Sequence, residues 1–183
     1  EFPMGSKANN IDAAITGYDL ALRICSQQSL PQFWAGIQNN LGIAYVQRIQ
    51  RDRADNIESA IAAFTAALSV ITRETMPQDW SLNQNILGYY NFNRNLGDRA
   101  DNIENAITAL TAALTVMSKE ALPQDWAKTQ NNLALAYLYR ILGDRAENLE
   151  NAITALTAAL TVRTREAFPQ DWAMTQNNLG NTY

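Results

Sequence analysis

Histidine is absent from this 183-residue sequence, and cysteine occurs once, at Cys25. An internal disulfide therefore cannot form, and the most frequent metal ligand and general base of proteins is missing. No stretch reaches the roughly 18 consecutive apolar residues of a membrane span, and the first residues lack a signal-peptide pattern. These absences favour a cytoplasmic protein that uses no metal, no cofactor and no membrane anchor.

Basic charge is also scarce, because 14 Lys and Arg face 18 Asp and Glu, for a formal net charge of -4. The scattered charges form no basic stripe that could follow a phosphate backbone, so nucleic acid is not an expected partner and an RNA-reading helical repeat is disfavoured. Cys25 has no base in view, and the acids fall in predicted caps and loops. We therefore expect a protein that is not an enzyme.

What the sequence does contain is a repeated phrase, PQFWAGIQNNLG, which returns as PQDWSLNQNILG, PQDWAKTQNNLA and PQDWAMTQNNLG. Its prolines, Pro31, Pro77, Pro123 and Pro169, are spaced by 46 residues each time, so the chain is a repeat array. The predicted parts, all in one domain, are a tag or loop remnant at 1–7, a second helix at 8–30, full repeats at 31–76, 77–122 and 123–168, and a first helix at 169–183.

Each repeat contains two segments of about 20 residues in which apolar residues recur at spacings of three and four, with Pro and Gly between the segments. An all-α fold of about eight helices follows. The predicted first helices cover 31–50, 77–96, 123–142 and 169–183, and the predicted second helices cover 8–28, 54–74, 100–120 and 146–166.

The loop between the two helices of a repeat carries the stretch GDRA. Gly97 and Gly143 are suited to a left-handed residue after a helix end, and Pro is suited to the first turn of the next first helix. Asp98 and Asp144 have N-cap spacing, each with a second acid three residues on. We interpret GDRA as a turn and cap, with a phosphate-binding glycine as the weaker alternative.

The third repeat carries NNLALAY, with Leu133, Ala134 and Tyr137, and its second helix carries a small, large, small series. These residues resemble the tetratricopeptide repeat (TPR) family. The resemblance implies a right-handed superhelical α-solenoid of antiparallel helix pairs, whose first helices line a concave groove for extended or helical peptides. The residues of the small, large, small series are Ala152, Leu156 and Ala159.

The sequence departs from the TPR pattern in three respects. Its repeats have 46 residues where the family has about 34. Trp126 lies one turn before the family's aromatic position, which holds Gln130, and Asn91 replaces the tyrosine found at Tyr45 and Tyr137. Similar long arrays accompany caspase-like or NTPase domains, so the resemblance implies a regulatory or sensor segment of a larger bacterial protein.

Tryptophan recurs in one register of the first helices. At about 100° per residue, Trp126 and Tyr137 fall on the same side of the helix as Leu133. We predict that the tryptophans fill the seam between adjacent repeats, with an aromatic cage as the weaker alternative. The four residues are Trp34, Trp80, Trp126 and Trp172.

Arginines and loop acids recur together. We interpret them as ion pairs between repeats, in which the loop acids are the partners, and a phosphopeptide pocket is the alternative. The arginines are Arg48, Arg94 and Arg140 in one register and Arg53, Arg99 and Arg145 in another, and the acids are Asp52, Asp98 and Asp144.

An asparagine column lies about 160° from the core leucine on the first helices and is predicted to form a surface. An amide can pair with both groups of a peptide bond, so the column could hold a ligand backbone while variable neighbours supply specificity. Alternatively, the asparagines bond one another or neighbouring helices, and the apolar neighbours pack between helices. The predicted groove residues are Asn39, Asn85, Asn131, Asn177, Tyr89, Phe92, Lys128, Leu135, Leu138 and Tyr139.

Two functional hypotheses follow. The first is a non-catalytic scaffold that binds a protein or peptide in the concave groove. The second is a self-association module that stacks head to tail, because the sequence begins with a second helix that lacks its first and ends with a first helix that lacks its second.

Overall fold

The computed structural model describes residues 7–183, and all regular structure in that range is helical. The all-α prediction is therefore confirmed. Within the described range the helices are α1 (Lys7–Leu22), α2 (Pro31–Gln47), α3 (Arg53–Leu68), α4 (Pro77–Phe92), α5 (Arg99–Leu114), α6 (Pro123–Leu138), α7 (Arg145–Leu160) and α8 (Pro169–Gly180).

Contacts divide the chain into two compact units, of which the first ends at Pro77 and the second runs from Gln78 to Tyr183. In the first unit, α1 and α2 pack through Ile15 and Leu41. Gly42 lies against Phe64 of α3, whereas Val46, further along α2, accepts a hydrogen bond from Arg53 at the start of α3. The paired residues run in opposite orders, so α2 and α3 are antiparallel.

In the second unit, α5 and α6 are antiparallel by the same criterion, because Thr129 contacts Met117 while Arg140, just after α6, contacts Glu104. Leu110 and Leu133 belong to the core between them. The following helix, α7, packs on the other side of α6 and shares a second core with it. Helix pairing of the predicted kind is therefore present in each unit.

The core depends on one close approach in each full repeat. A Cβ atom added to Gly88 would lie 2.4 Å from Cγ of Leu110, and one added to Gly42 would lie 2.8 Å from the Phe64 ring. The same position in the third repeat is Ala134, which packs in one core with Leu156. Small residues here let a large side chain from the second helix be completely buried.

The helix starts follow the predicted signals. Proline occupies the first turn of α2, α6 and α8, and no side chain caps those helices. Asp98 accepts a hydrogen bond from the backbone of Asp101, and Asp144 accepts one from Glu147. The cap interpretation of GDRA is confirmed, and Gly97 and Gly143 adopt positive φ angles of 80° and 79°.

The helix ends were predicted too late, because every helix stops three to six residues before its predicted end. Hydroxyl side chains explain the ends of α3, α5 and α7: Ser69, Thr115 and Thr161 each donate to the backbone carbonyl three residues earlier. Such bonds compete with helical ones and favour termination. A second hydroxyl a few residues on, such as Ser118 bonded to the Ala121 N–H, then orders the turn before proline.

The tryptophans, predicted to fill the seam between adjacent repeats, are not completely enclosed. All four are half-buried in the first turn of their helices. The residue after three of them is completely enclosed instead, namely Ala35, Ser81 and Ala127. The fully enclosed residues at this level are therefore small, and the largest fully enclosed hydrophobic side chains of the described chain are Phe64, Ile103, Leu110 and Leu156.

Candidate functional site

The asparagine column is partly buried, contrary to its predicted surface position. Asn85 and Asn131 are only 4% and 3% exposed. Asn132 donates to Oδ1 of Asn85 over 3.4 Å, and Asn178 donates to Oδ1 of Asn131 over 3.1 Å. The column was placed by its angle around a single helix. That angle cannot show that the first helix of the next repeat covers this face, so the surface position was wrong.

These bonds match the alternative interpretation, in which asparagines of adjacent repeats bond one another. The other two members behave differently. Asn177 is exposed, and the Oδ1 atom of Asn39 is buried without a hydrogen-bond partner. The column is thus a set of inter-helix amide pairs in the second unit and does not form a continuous surface there.

An open cavity of about 680 Å³ lies in the second unit beside these pairs. Five predicted groove residues line it: Tyr89, Phe92, Lys128, Asn131 and Leu135. Its size falls within the range of about 300–1,000 Å³ that is typical of ligand sites. Helices α4 and α6 therefore bring half of the predicted site together.

Aromatic and apolar surface is accessible in this cavity. Tyr89 is 42% exposed and Met174 of α8 is 48% exposed. Phe92 is half-buried, and its ring lies 6.0 Å from that of Tyr139, which is itself more than half exposed. Tyr139 thus supports one wall of the cavity without lining it.

The remaining predicted residues lie elsewhere. Leu138 was predicted to line the groove, but it is buried and packs in a core with Ala134 and Leu156. Asn85 lines a smaller cavity of about 330 Å³, which shares Tyr89, Lys128 and Asn132 with the larger one. The structure thus corrects the assignment of Leu138 and places Asn85 beside the main cavity.

Sequence reasoning missed several residues of the cavity. The most unusual is Arg163, because the same position of the other copies holds Cys25, Ile71 and Met117. Comparing the copies position by position would have revealed it. The others are Asn93, Gln124, Asp125, Asn132, Asp171 and Met174.

The Arg163 side chain is 8% exposed. Nη1 donates to Oγ1 of Thr175 over 3.0 Å, and Nη2 lies 3.9 Å from a carboxylate oxygen of Asp171. Burial lowers the pKa of Arg163 from its usual value, and the charge of Asp171 opposes this shift. The guanidinium is therefore a buried cation with a distant counter-ion.

The recurrent arginines stabilise the loops and the packing of helices. Arg140 forms a two-pronged pair with Glu104 over 2.7 and 2.8 Å, and Arg48 pairs with Asp12 over 2.7 Å. Pairing between repeats is confirmed, but the predicted partners were wrong. The acids come from second helices, because the loop acids are used as N-caps.

The arginines of the second register donate hydrogen bonds to backbone carbonyls in the last turn of the first helices. Arg53 and Arg145 donate to the carbonyls of Val46 and Leu138, and Arg99 donates to that of Phe92 while lying over its ring. These hydrogen bonds to carbonyl oxygens support the structural interpretation over a phosphopeptide pocket.

Neither a metal site nor a membrane span is found between residues 7 and 183. No group of three or more His, Cys, Asp or Glu residues in this range is arranged to hold a metal ion. No helix in the same range is both long and apolar enough to cross a bilayer. Comparisons with models of known protein families and with curated protein sequences find no match.

Proposed function

We propose that the cavity bounded by α4, α6 and α8 is the peptide-binding groove of a non-catalytic, TPR-like scaffold. The observation that carries this proposal is the convergence of Tyr89, Phe92, Lys128, Asn131 and Leu135 on one cavity. Those residues were selected from the sequence alone: Asn131 belongs to the constant asparagine column, Tyr89, Phe92 and Leu135 are variable positions beside it, and Lys128 is the one lysine of that face. A protein or peptide segment is the proposed partner.

The composition of the cavity supports this partner. Aromatic and aliphatic walls suit apolar side chains, and a few amides and charges can orient a backbone. Tyr89 offers a large, accessible ring at low conformational cost, which is typical of binding surfaces. From the resemblance to TPR arrays, we further propose that the chain is a cytoplasmic regulatory or sensor segment of a larger bacterial protein.

A selection from a displayed library of random peptides tests this proposal. We expect the chain to enrich peptides with a shared apolar motif, and Tyr89→Ser to weaken binding of the enriched peptides by about tenfold, as loss of a central aromatic contact does. Tyr183→Ser is the matched control, because that tyrosine is 88% exposed and lies outside the cavity. Failure to enrich any motif, or equal binding by both variants, would contradict the proposal.

Self-association is a second candidate, favoured by one observation. Asn131 accepts its bond from Asn178, whereas Asn177, the equivalent acceptor one repeat later, is exposed, and so is Asn40, an equivalent donor. Two copies could complete this pair between them. Sedimentation across a concentration series should then show growing assemblies that Asn177→Lys abolishes, and a monomer at every concentration would remove this candidate.

A further inference from the structure

One position of the repeat changes from apolar to charged along the chain. Ile71 and Met117 are 6% and 2% exposed, and Arg163, their equivalent, is 6% exposed. The fold therefore accepts a hydrophobic side chain at this position. In the Met117 copy the Thr129 hydroxyl, equivalent to that of Thr175, lies 3.4 Å from the sulfur atom. A threonine at this position therefore packs as well beside methionine as beside a guanidinium.

The internal partners of Arg163 do not account for its charge. A guanidinium has five N–H donors, but the hydrogen bond to Thr175 satisfies one of them, and the Asp171 carboxylate is 3.9 Å away. The Asp171 side chain is also 48% exposed, so solvent screens the pair. Burying an arginine under these conditions costs more than burying methionine.

The guanidinium belongs to the cavity that is proposed to bind a peptide. Arg163 lines it together with Tyr89, Leu135 and Met174. The other charged groups there are Lys128, which adds positive charge, and Asp125 and Asp171, which offset it. Because Asp171 is distant and solvated, an incoming carboxylate that reaches 2.8 Å would be a better partner for the buried cation.

We propose that Arg163 binds the carboxylate of an internal Asp or Glu side chain of the ligand, while Tyr89, Leu135 and Met174 contact an apolar side chain beside it. This inference rests on the proposed peptide-binding function and names its specificity. An internal acid fits better than a chain terminus, because a second cavity shares Tyr89 and Lys128 with this one and so the ligand backbone can continue past the site. An Asp or Glu side chain can also reach the buried Arg163 guanidinium, which the ligand's backbone cannot approach as closely.

The experiment selects peptides from a random library with the wild-type chain and with Arg163→Met, which installs the side chain found at position 117. Wild type should enrich an acidic residue at a fixed distance from an apolar one. Arg163→Met should keep the apolar preference and lose the acidic one. If both proteins enrich the apolar residue with the same acidic preference, or with none, the role of Arg163 is overturned while the groove remains. If neither enriches anything, the groove itself fails.

Synthetic forms of one selected peptide make the test quantitative. Replacing its acid by the amide should weaken binding to wild type by about tenfold or more and should leave binding to Arg163→Met unchanged. Amidation of the peptide's C-terminus should have no effect on wild type, and a loss on amidation would overturn the assignment to a side chain. Arg163→Lys keeps the charge without the two-pronged geometry and should retain part of the acid preference.

Thermal unfolding distinguishes a ligand-binding arginine from a structural one. Arg163→Met should unfold at the same or a higher temperature than wild type, because hydrophobic replacement of a poorly paired buried charge is often neutral or stabilising. A clear drop in the unfolding temperature would show that the fold needs the charge, and this would overturn the proposal.

Discussion

Two faces of α6 differ in how similar their residues are to those of the other repeats and in how completely those residues are buried. Leu133 and Ala134 are buried against neighbouring helices, and the equivalent positions of the other full repeats are Leu or the still smaller Gly. On the face toward the cavity, Leu135 is half-buried, and its equivalent Tyr89 is exposed. We call the first, buried face the seam, whether it packs within a repeat or between repeats, and the second the groove.

This difference separates stability from binding. In the seam, a small residue on the first helix always meets a large one on the second, as in Gly42 with Phe64 and Gly88 with Leu110. In the groove, neighbouring repeats supply different side chains and leave apolar surface uncovered. Seam substitutions should therefore change the free energy of unfolding, and groove substitutions should change ligand affinity.

The largest effect is expected from Leu110→Ala, because Leu110 is completely buried. The free energy of unfolding should fall by about 3 kcal/mol, from lost burial and the cavity left behind. Leu135→Ala, the matched change in the groove, should cost about 1 kcal/mol or less because this side chain is only half-buried. Urea denaturation measures both, and equal losses would contradict the division into seam and groove.

Gly88→Ala should be the next most disruptive change, since its new Cβ would overlap Leu110. Overpacking of this kind costs about 2 kcal/mol. The cost should shrink in a Leu110→Ala background, where room exists, and a double-mutant cycle in urea measures that coupling. The control is Gly36→Ala, which meets no atom within 4 Å and should be neutral or stabilising.

Asn131→Ala should cost about 1 kcal/mol, because Asn178 loses its hydrogen-bond acceptor in a half-buried position. Asn177→Ala has the same chemistry at an exposed position and should be close to neutral. Thermal unfolding of the two variants compares them directly. A larger loss from Asn177 would contradict the assignment of the amide pairs.

The smallest effect concerns Glu104, whose pKa is lowered by the hydrogen bond from Arg140. A carboxylate with a lowered folded pKa adds stability above its unfolded pKa, and that stability is lost as the pH falls through the folded pKa. Because both side chains are about one third exposed, the contribution should be about 1 kcal/mol or less.

Glu104→Gln should remove this part of the acid-side loss of stability when unfolding is measured from neutral to acidic pH. Arg140→Gln should remove the same pH-dependent part, and the double variant should remove no more than either single change. An unchanged acid slope in both single variants would show that the pair contributes nothing.

The repeats, the caps and the left-handed glycines were predictable because each depends on local sequence. Gly97, for example, occupies a turn whose positive φ angle few other residues adopt. The equivalent Arg51 takes the same conformation at a φ of 70°, so the surrounding loop fixes the turn even without glycine.

The parts that were not predictable depend on neighbouring helices. A helical wheel locates Asn131 relative to Leu133 but cannot show that α8 covers it. Leu138 was assigned to the groove for the same reason, although α7 buries it. Arg163 differs, because the sequence alone could have identified it: one copy of the repeat carries a charged residue where the other copies carry apolar ones.

The most direct measurement is calorimetric titration of one selected peptide into wild type, Tyr89→Ser and Leu110→Ala, at a temperature where all three are folded. The account predicts that Leu110→Ala, although less stable, keeps its Kd within about twofold of wild type, because Leu110 is completely buried and does not line the cavity. Tyr89→Ser should keep its stability and bind about tenfold more weakly. If affinity instead follows stability in both variants, the separation of seam and groove is wrong.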